Sequence, residues 1–138
     1  MRYFAFLIFI TLITGCTPPI AKEKLNSLNG YWEITEVEFA DGQKKTYKVN
    51  PSVDYIELKE MKGFKKKVHP KFDGTYDTSN DAELFTLVEK DGVFTFYYKN
   101  DLSEWHERLI VLEENQFSIT NENDITYTYK RYEPIKIE

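Results

Sequence analysis

The fold is decided by residues 28–39, which read LNGYWEITEVEF. Polar and apolar side chains alternate after Gly30, and a period of two is typical of a strand that has one face against a core. The segment also holds Trp32, one of the two tryptophans in the chain. Most later segments of this kind are too short to be stable alone, so we expect them to close against this first strand.

Further short segments follow to the end of the chain, separated by polar turns such as Asp91-Gly92. An Asp-Gly pair supplies the positive φ angles that tight hairpins need. The predicted strands after the first lie at residues 44–49, 53–59, 72–77, 83–88, 93–98, 104–112, 116–120 and 125–132. Residues 62–71 form a basic, irregular stretch in which Gly63 and Pro70 act as breakers. This pattern predicts an all-β protein, an antiparallel up-and-down barrel of eight or nine strands.

Residues 1–15 have the layout of an export signal, with Arg2, an apolar run and small residues that precede Cys16. The apolar run is shorter than the roughly 20 residues that a membrane-spanning helix needs. Residues 13–16, ITGC, resemble the lipobox of bacterial lipoproteins. In that family the cysteine is acylated, for example with palmitate, and becomes the first residue of the mature chain. The alternative is a simple cleavable signal in which Cys16 is an ordinary small residue.

The lipobox resemblance implies a protein that is exported and attached to a membrane through lipid at Cys16. We expect the outer membrane, and leave open whether the domain faces the periplasm or the cell surface. Residues 16–27 are interpreted as the lipidated N-terminus and a flexible tether, because prolines and charges there disfavour packing. Residues 28–135 are interpreted as the barrel domain. Since Cys16 is the only cysteine, the folded domain contains no internal disulfide.

A second resemblance concerns the first and the last strand of the predicted barrel. Leu28, Gly30 and Trp32 form a Leu-x-Gly-x-Trp start, and Arg131 lies in the last predicted strand. With the meander of strands, these residues resemble the lipocalin superfamily, and especially compact lipocalin-like domains on bacterial lipoproteins. The resemblance implies that Trp32 plugs the closed end and that the Arg131 guanidinium lies across its indole. Typical lipocalins are longer and carry a helix after the barrel, so no ligand site is carried over.

The charge of the chain narrows the class of partner. Without residues 1–15, the chain carries 17 basic and 23 acidic side chains, a net charge of −6. This charge argues against a nucleic-acid partner. Five lysines nevertheless fall within ten residues, namely Lys62, Lys65, Lys66, Lys67 and Lys71. They form either a solvated loop or edge strand protected from aggregation, or a contact with anionic lipid headgroups or an acidic partner.

The leading functional hypothesis is a monomeric binding module for a small apolar or amphipathic molecule. The candidate ligand-binding residues are the aromatic Phe94, Phe96, Tyr127 and Tyr129. An eight-stranded barrel is only just wide enough for its own side chains or one small ligand. A filled interior would therefore favour the alternative, a protein-interaction or structural lipoprotein of the cell envelope. An open apolar cavity of about 300 Å³ or more would favour the ligand binder.

The sequence points to neither catalysis nor a bound metal or cofactor. His69 and His106 are the only histidines, and they lack the spacing of a metal site. No serine lies in a nucleophile elbow. Neither face of residues 104–112 is cleanly apolar, so the direction of Trp105 stays open, with packing favoured over ligand contact.

Overall fold

A computed structural model describes residues 19–134. The predicted signal and lipobox, with Cys16, lie outside the described residues. The elements are the 3₁₀-helix η1 (Lys22–Leu28) and the strands β1 (Gly30–Glu38), β2 (Lys44–Thr46), β3 (Val53–Lys59), β4 (Lys62–Pro70), β5 (Tyr76–Thr78), β6 (Glu83–Lys90), β7 (Val93–Lys99), β8 (Glu104–Leu112), β9 (Gln116–Asn121) and β10 (Thr126–Arg131). No helix within residues 19–134 is long and apolar enough to cross a membrane.

Eight of the ten strands close into an antiparallel barrel. The order around the ring is β1, β3, β4, β6, β7, β8, β9 and β10, and β10 pairs back with β1. The short strands β2 and β5 lie outside the ring and pair with the last residues of β1 and β4. Sequence neighbours pair through short turns along most of the ring, as in an up-and-down barrel. The predicted fold class, an all-β antiparallel barrel of eight strands, is confirmed.

The basic stretch at residues 62–71 differs from its prediction, because it forms the barrel strand β4. This strand pairs with β3 over seven consecutive positions, from Lys62 opposite Lys59 to Val68 opposite Val53. Gly63 is not a breaker. A Cβ atom at Gly63 would collide with the main-chain carbonyl of β3, so the glycine permits close approach inside the sheet. The predicted strands at 44–49 and 72–77 are also shorter, reduced to β2 and β5.

One end of the barrel is closed by η1 and Trp32. The side chains of Leu25, Leu28 and Trp32 are buried in the core, and Ile20 packs against the same cluster. The indole Nε1 of Trp32 donates a hydrogen bond of 2.8 Å to the carbonyl oxygen of Leu28. The folded unit therefore begins near residue 20. The described part of the predicted flexible tether is docked against the base because its apolar residues complete the core.

Arg131 covers this closed end from the last strand. Its guanidinium carbon lies 4.1 Å from the centroid of the Trp32 ring. Nη1 donates to the carbonyl oxygen of Asn29 at 3.0 Å, and Nη2 donates to that of Ser27 at 2.6 Å. Nε and Nη2 donate to the carbonyl oxygen of Glu114 at 3.1 and 2.8 Å. One side chain thus joins the start of the fold, the last strand and the β8–β9 turn.

The placement of Arg131 over Trp32 restricts the choice of residue most strongly at position 30, which is Gly30. Its φ angle is +119°, and a Cβ atom there would come within 2.9 Å of Nη1 of Arg131. Residues with a side chain rarely adopt such a φ angle. Trp32 pairs directly with Arg131 across β1 and β10. The Gly-x-Trp spacing therefore leaves room for the guanidinium and places the indole beneath it.

A charged cup at the open end of the barrel

The barrel interior next to the base is filled by its own side chains. Phe94 and Phe96 are each 1% exposed. The rings of Phe85 and Phe96 meet edge to face at 4.9 Å. Between Phe96 and Tyr129 a void of about 10 Å³ remains, comparable with the space needed for a single water. The expectation that Phe94 and Phe96 line a ligand site is thus corrected, because large aromatic side chains fill a ring of this size.

Towards the other end, the barrel opens into a cavity of about 540 Å³, which we call the mouth cup. Its lining combines aromatic and charged side chains, chiefly Trp105, Tyr127, Tyr129, Asp54, Asp81, Glu83, Glu107, Glu122, Lys65, Lys66 and Lys67. The volume lies within the range of small-molecule sites in proteins. The lining is more polar than the apolar cavity that the sequence hypothesis requires. Of the four candidate ligand residues, Tyr127 and Tyr129 face this space.

Two buried carboxylates reach the mouth cup because they lie on inward faces of strands. Asp54 shares the inward face of β3 with Ile56 and Leu58, and Glu107 shares that of β8 with Leu109. Successive side chains of a strand point to opposite sides, so a charge in phase with apolar residues must point inward. That phase is the sequence signal for these two site residues. Nucleophile motifs and metal-ligand spacings do not reveal it.

Trp105 points inward because it is in phase with the buried Glu107 and Leu109, and an irregularity further along β8 obscures that phase in the sequence. The pairing of β8 with β9 shifts register between Leu109 and Val111. Trp105 and Leu109 face inward on one side of the shift, and Leu112 is buried on the other. A register shift of this kind changes the phase of the inward positions. Neither face therefore reads as cleanly apolar, and Trp105 both packs on the core and lines the mouth cup.

Lys65 lies at the centre of the charged groups. Its Nζ atom is 3.8 Å from a carboxylate oxygen of Glu83 and 3.8 Å from one of Glu107. The same ammonium lies 5.2 Å from the ring centroid of Tyr98. Nearby, Nζ of Lys67 donates to Oδ1 of Asp54 at 3.0 Å. The mouth cup thus contains ion pairs on its floor as well as at its rim.

Burial alters the titration of the groups beneath these ion pairs. Desolvation raises the pKa of Glu107, although the ammonium of Lys65 opposes the shift. Burial, together with the carboxylate of Glu107, raises the pKa of Tyr98 well above its ordinary value. Burial and the carboxylate of Asp54 do the same to the pKa of Tyr129. Both tyrosines are therefore neutral hydroxyl groups at physiological pH, able to donate or accept a hydrogen bond.

The five lysines, for which an anionic contact was one of two alternatives, point in different directions. Lys65 and Lys67 lie on the inward face of β4 and bind carboxylates of the mouth cup. Lys66 lies over an aromatic ring on the outer face, and Lys71 pairs with a carboxylate after β4 ends. Lys62 is exposed at the base end of the strand. Strand alternation divides the set, so these residues form no continuous surface for lipid headgroups.

The two histidines occupy separate places. Nδ1 of His106 lies 2.6 Å from Oε1 of Glu122 at the rim of the mouth cup. Nδ1 of His69 lies 3.2 Å from the carbonyl oxygen of Pro51. Within residues 19–134, no three histidine, cysteine or acidic side chains are grouped so as to hold a metal ion.

Comparison with known proteins gives one structural likeness. The chain is similar to a lipocalin-like protein from Bacteroides uniformis ATCC 8492, with 12% sequence identity and a TM-score of 0.48. The likeness covers 77% of this chain and 99% of the other. At this TM-score it carries no information about a ligand or an activity. No protein-family model and no curated protein matches the chain.

Proposed function

We propose that this chain is a non-catalytic, lipid-anchored binding protein of the bacterial cell envelope, whose mouth cup takes one small amphipathic ligand. The observation that carries the proposal is the cavity of about 540 Å³, open to solvent above a filled core. Its volume suits one small molecule, and its lining offers both aromatic surface and charge. The class of ligand expected from the sequence is thereby narrowed to amphipathic molecules, since a purely apolar molecule would displace water from the charged groups without replacing its hydrogen bonds.

The floor of the mouth cup supports binding because it is rigid. Tyr98 stacks on Trp105 with ring centroids 5.1 Å apart and planes within 6° of parallel. Phe117 stacks on Tyr129 at 4.8 Å. Side chains held in this way lose little conformational entropy when a ligand binds. A ligand would thus meet a site that is already formed.

Attachment through Cys16 would orient the mouth cup away from the membrane. Pro19 lies beside Gly92, in the β6–β7 turn at the closed end. Cys16 precedes Pro19 by three residues, and three extended residues span at most about 10 Å. A lipid on Cys16 would therefore hold the base of the barrel near the bilayer. The open end would face the compartment from which a ligand arrives.

Native mass spectrometry of protein recovered from its own envelope tests the binding role. We expect a bound small molecule that Trp105→Ala releases, because this substitution removes one aromatic wall of the mouth cup. Phe39→Ala is the matched control, since Phe39 is an exposed aromatic residue outside that lining. Equal retention of the molecule by both variants would place binding elsewhere, and protein free of any small molecule would count against the proposal.

Membrane attachment is tested separately through Cys16→Ser. We expect the wild-type chain in the membrane fraction with a mass increase from acylation. The variant should lack that mass increase. Two or more acyl chains anchor a protein stably. We therefore expect nearly all of the wild-type chain in the membrane fraction and nearly all of the variant outside it. An unmodified wild-type cysteine would contradict the anchoring without affecting the binding role.

A second candidate function is contact with another envelope protein through the loops at the open end. Phe72, after β4, is 88% exposed, and Leu102, between β7 and β8, is 95% exposed. Binding residues of proteins lie disproportionately on loops that a rigid scaffold positions. Crosslinking in whole cells from position 72 or 102 would test it. We expect a specific crosslinked protein if this second function holds, and none if it does not.

A further inference from the structure

Acidic side chains outnumber basic ones around the mouth cup. Five carboxylates line it, together with three lysines and the imidazole of His106. Of these lysines, Lys65 and Lys67 already lie against carboxylates of the protein. An anionic ligand would have to compete with those carboxylates for the same ammonium groups. A cationic ligand would instead complement the excess of negative charge.

The carboxylate of Glu107 accepts a hydrogen bond from the Tyr98 hydroxyl, but its nearest cation among the described residues lies beyond hydrogen-bonding distance. Glu107 is only 8% exposed. Its cationic neighbour Lys65 lies 3.8 Å away and is shared with Glu83 at the same distance. Both contacts are longer than a hydrogen bond between nitrogen and oxygen, which is about 2.7–3.2 Å. A carboxylate that is buried without a close cationic partner is costly, so a ligand ammonium at hydrogen-bonding distance would stabilise it.

Aromatic rings form the wall beside this carboxylate. Trp105 lies two residues before Glu107 on the inward side of β8, and its plane is held by the stack on Tyr98. Tyr127 faces the same space from β10. The face of an aromatic ring attracts a cation, most strongly in the case of tryptophan. We propose that the ligand of the mouth cup is a small organic cation, an ammonium group on an apolar or aromatic body, held by Glu107 and Trp105. This inference rests on the ligand-binding role proposed above.

Isothermal titration calorimetry of the purified protein with three matched probes tests this inference. The probes are 2-phenylethylammonium, the neutral 2-phenylethanol and the anionic 3-phenylpropionate, which share a ring and differ in charge. We expect the cation to bind at least tenfold more tightly than the other two. Glu107→Gln should weaken the cation about 10- to 100-fold, the range for losing a hydrogen bond to a charged group. Glu89→Gln, at an exposed carboxylate outside the lining, should leave its affinity unchanged.

A second variant keeps the test decisive if Glu107→Gln fails to fold. Glu83 lies at the rim with its side chain 48% exposed, so Glu83→Gln should fold normally. In Glu83→Gln, Lys65 neutralises only Glu107, so less negative charge remains for a ligand. We therefore expect the affinity for the cation to fall several-fold. Cation binding that neither substitution weakens would overturn the assignment of Glu107. Tighter binding of the anion would overturn the cationic ligand and leave the mouth cup as a ligand site. Failure of all three probes to bind would overturn the cationic ligand, whereas the binding role itself is decided by the native mass spectrometry described above.

Discussion

The most informative single substitution is Arg131→Met, which removes the guanidinium from the closed end of the barrel. Methionine retains an apolar stem that can still cover Trp32. It removes the cation–π contact at 4.1 Å and the hydrogen bonds to three main-chain carbonyl groups. The effect on stability therefore measures the guanidinium itself.

The expected loss follows from these contacts. A desolvated guanidinium over an indole contributes about 2 kcal/mol. The hydrogen bonds to the carbonyl oxygens of Ser27 and Asn29 are partly buried and should each contribute about 1 kcal/mol net, whereas the exposed carbonyl of Glu114 can bind water instead. The free energy of unfolding should thus fall by about 3–5 kcal/mol. For a domain of this size, that corresponds to a decrease in Tm of about 12–20 °C.

Urea unfolding followed by circular dichroism and by tryptophan fluorescence measures this loss. Arg108→Met is the matched control, because Arg108 is an exposed arginine on β8. Arg131→Lys should fall between the wild type and Arg131→Met, since an ammonium cannot reproduce the planar fork of a guanidinium. Equal stabilities of Arg131→Met and Arg108→Met would refute the role given to the closed end.

Two further predictions concern the sheet and the mouth cup. Gly63→Ala should lower the free energy of unfolding by about 3 kcal/mol, the upper range for overpacking, because the added Cβ meets the main chain of Glu57 and the ring of Phe85. An unchanged Tm would show that β3 and β4 separate easily. Glu107→Gln should become increasingly stable relative to the wild type as the pH rises above 4.5, the ordinary glutamate pKa. Since the folded state raises the pKa of Glu107, the stability from its protonated form is present at low pH and lost as the pH rises through the folded value. Thermal melts of both proteins from pH 4 to pH 8 measure the difference, and a difference that shrinks with pH would contradict it.

The barrel was predictable from residues that act locally. Alternation and polar turns located most of the strands, and the plugged base was implied by the resemblance of Gly30, Trp32 and Arg131 to the lipocalin pattern. The stretch at 62–71 was the exception. Its lysines and Gly63 suggested a loop, but each inward lysine has a carboxylate partner on another strand and Gly63 permits close packing. Partners that lie far away in sequence cannot be inferred from the stretch itself.

The candidate site was predictable only in part. Tyr127 and Tyr129 were identified by their aromatic side chains. Phe94 and Phe96 share the same aromatic character, yet they lie deep in the filled core. Depth along the barrel axis distinguishes the two pairs, and it depends on how far each strand is displaced relative to its neighbours. Local sequence carries little information about that displacement.

Strand period and turn chemistry are local properties, so the amino-acid order alone determined an antiparallel barrel, and the plugged base was implied by a family resemblance. Closure of the ring decided which side chains meet at the open end. It brought Asp54, Lys65 and Glu107 from three strands to one opening, where Trp105 also lies because it is in phase with Glu107 on β8. Which charged side chains meet across a closed sheet depends on the register of every strand between them. The mouth cup is therefore a property of the folded chain.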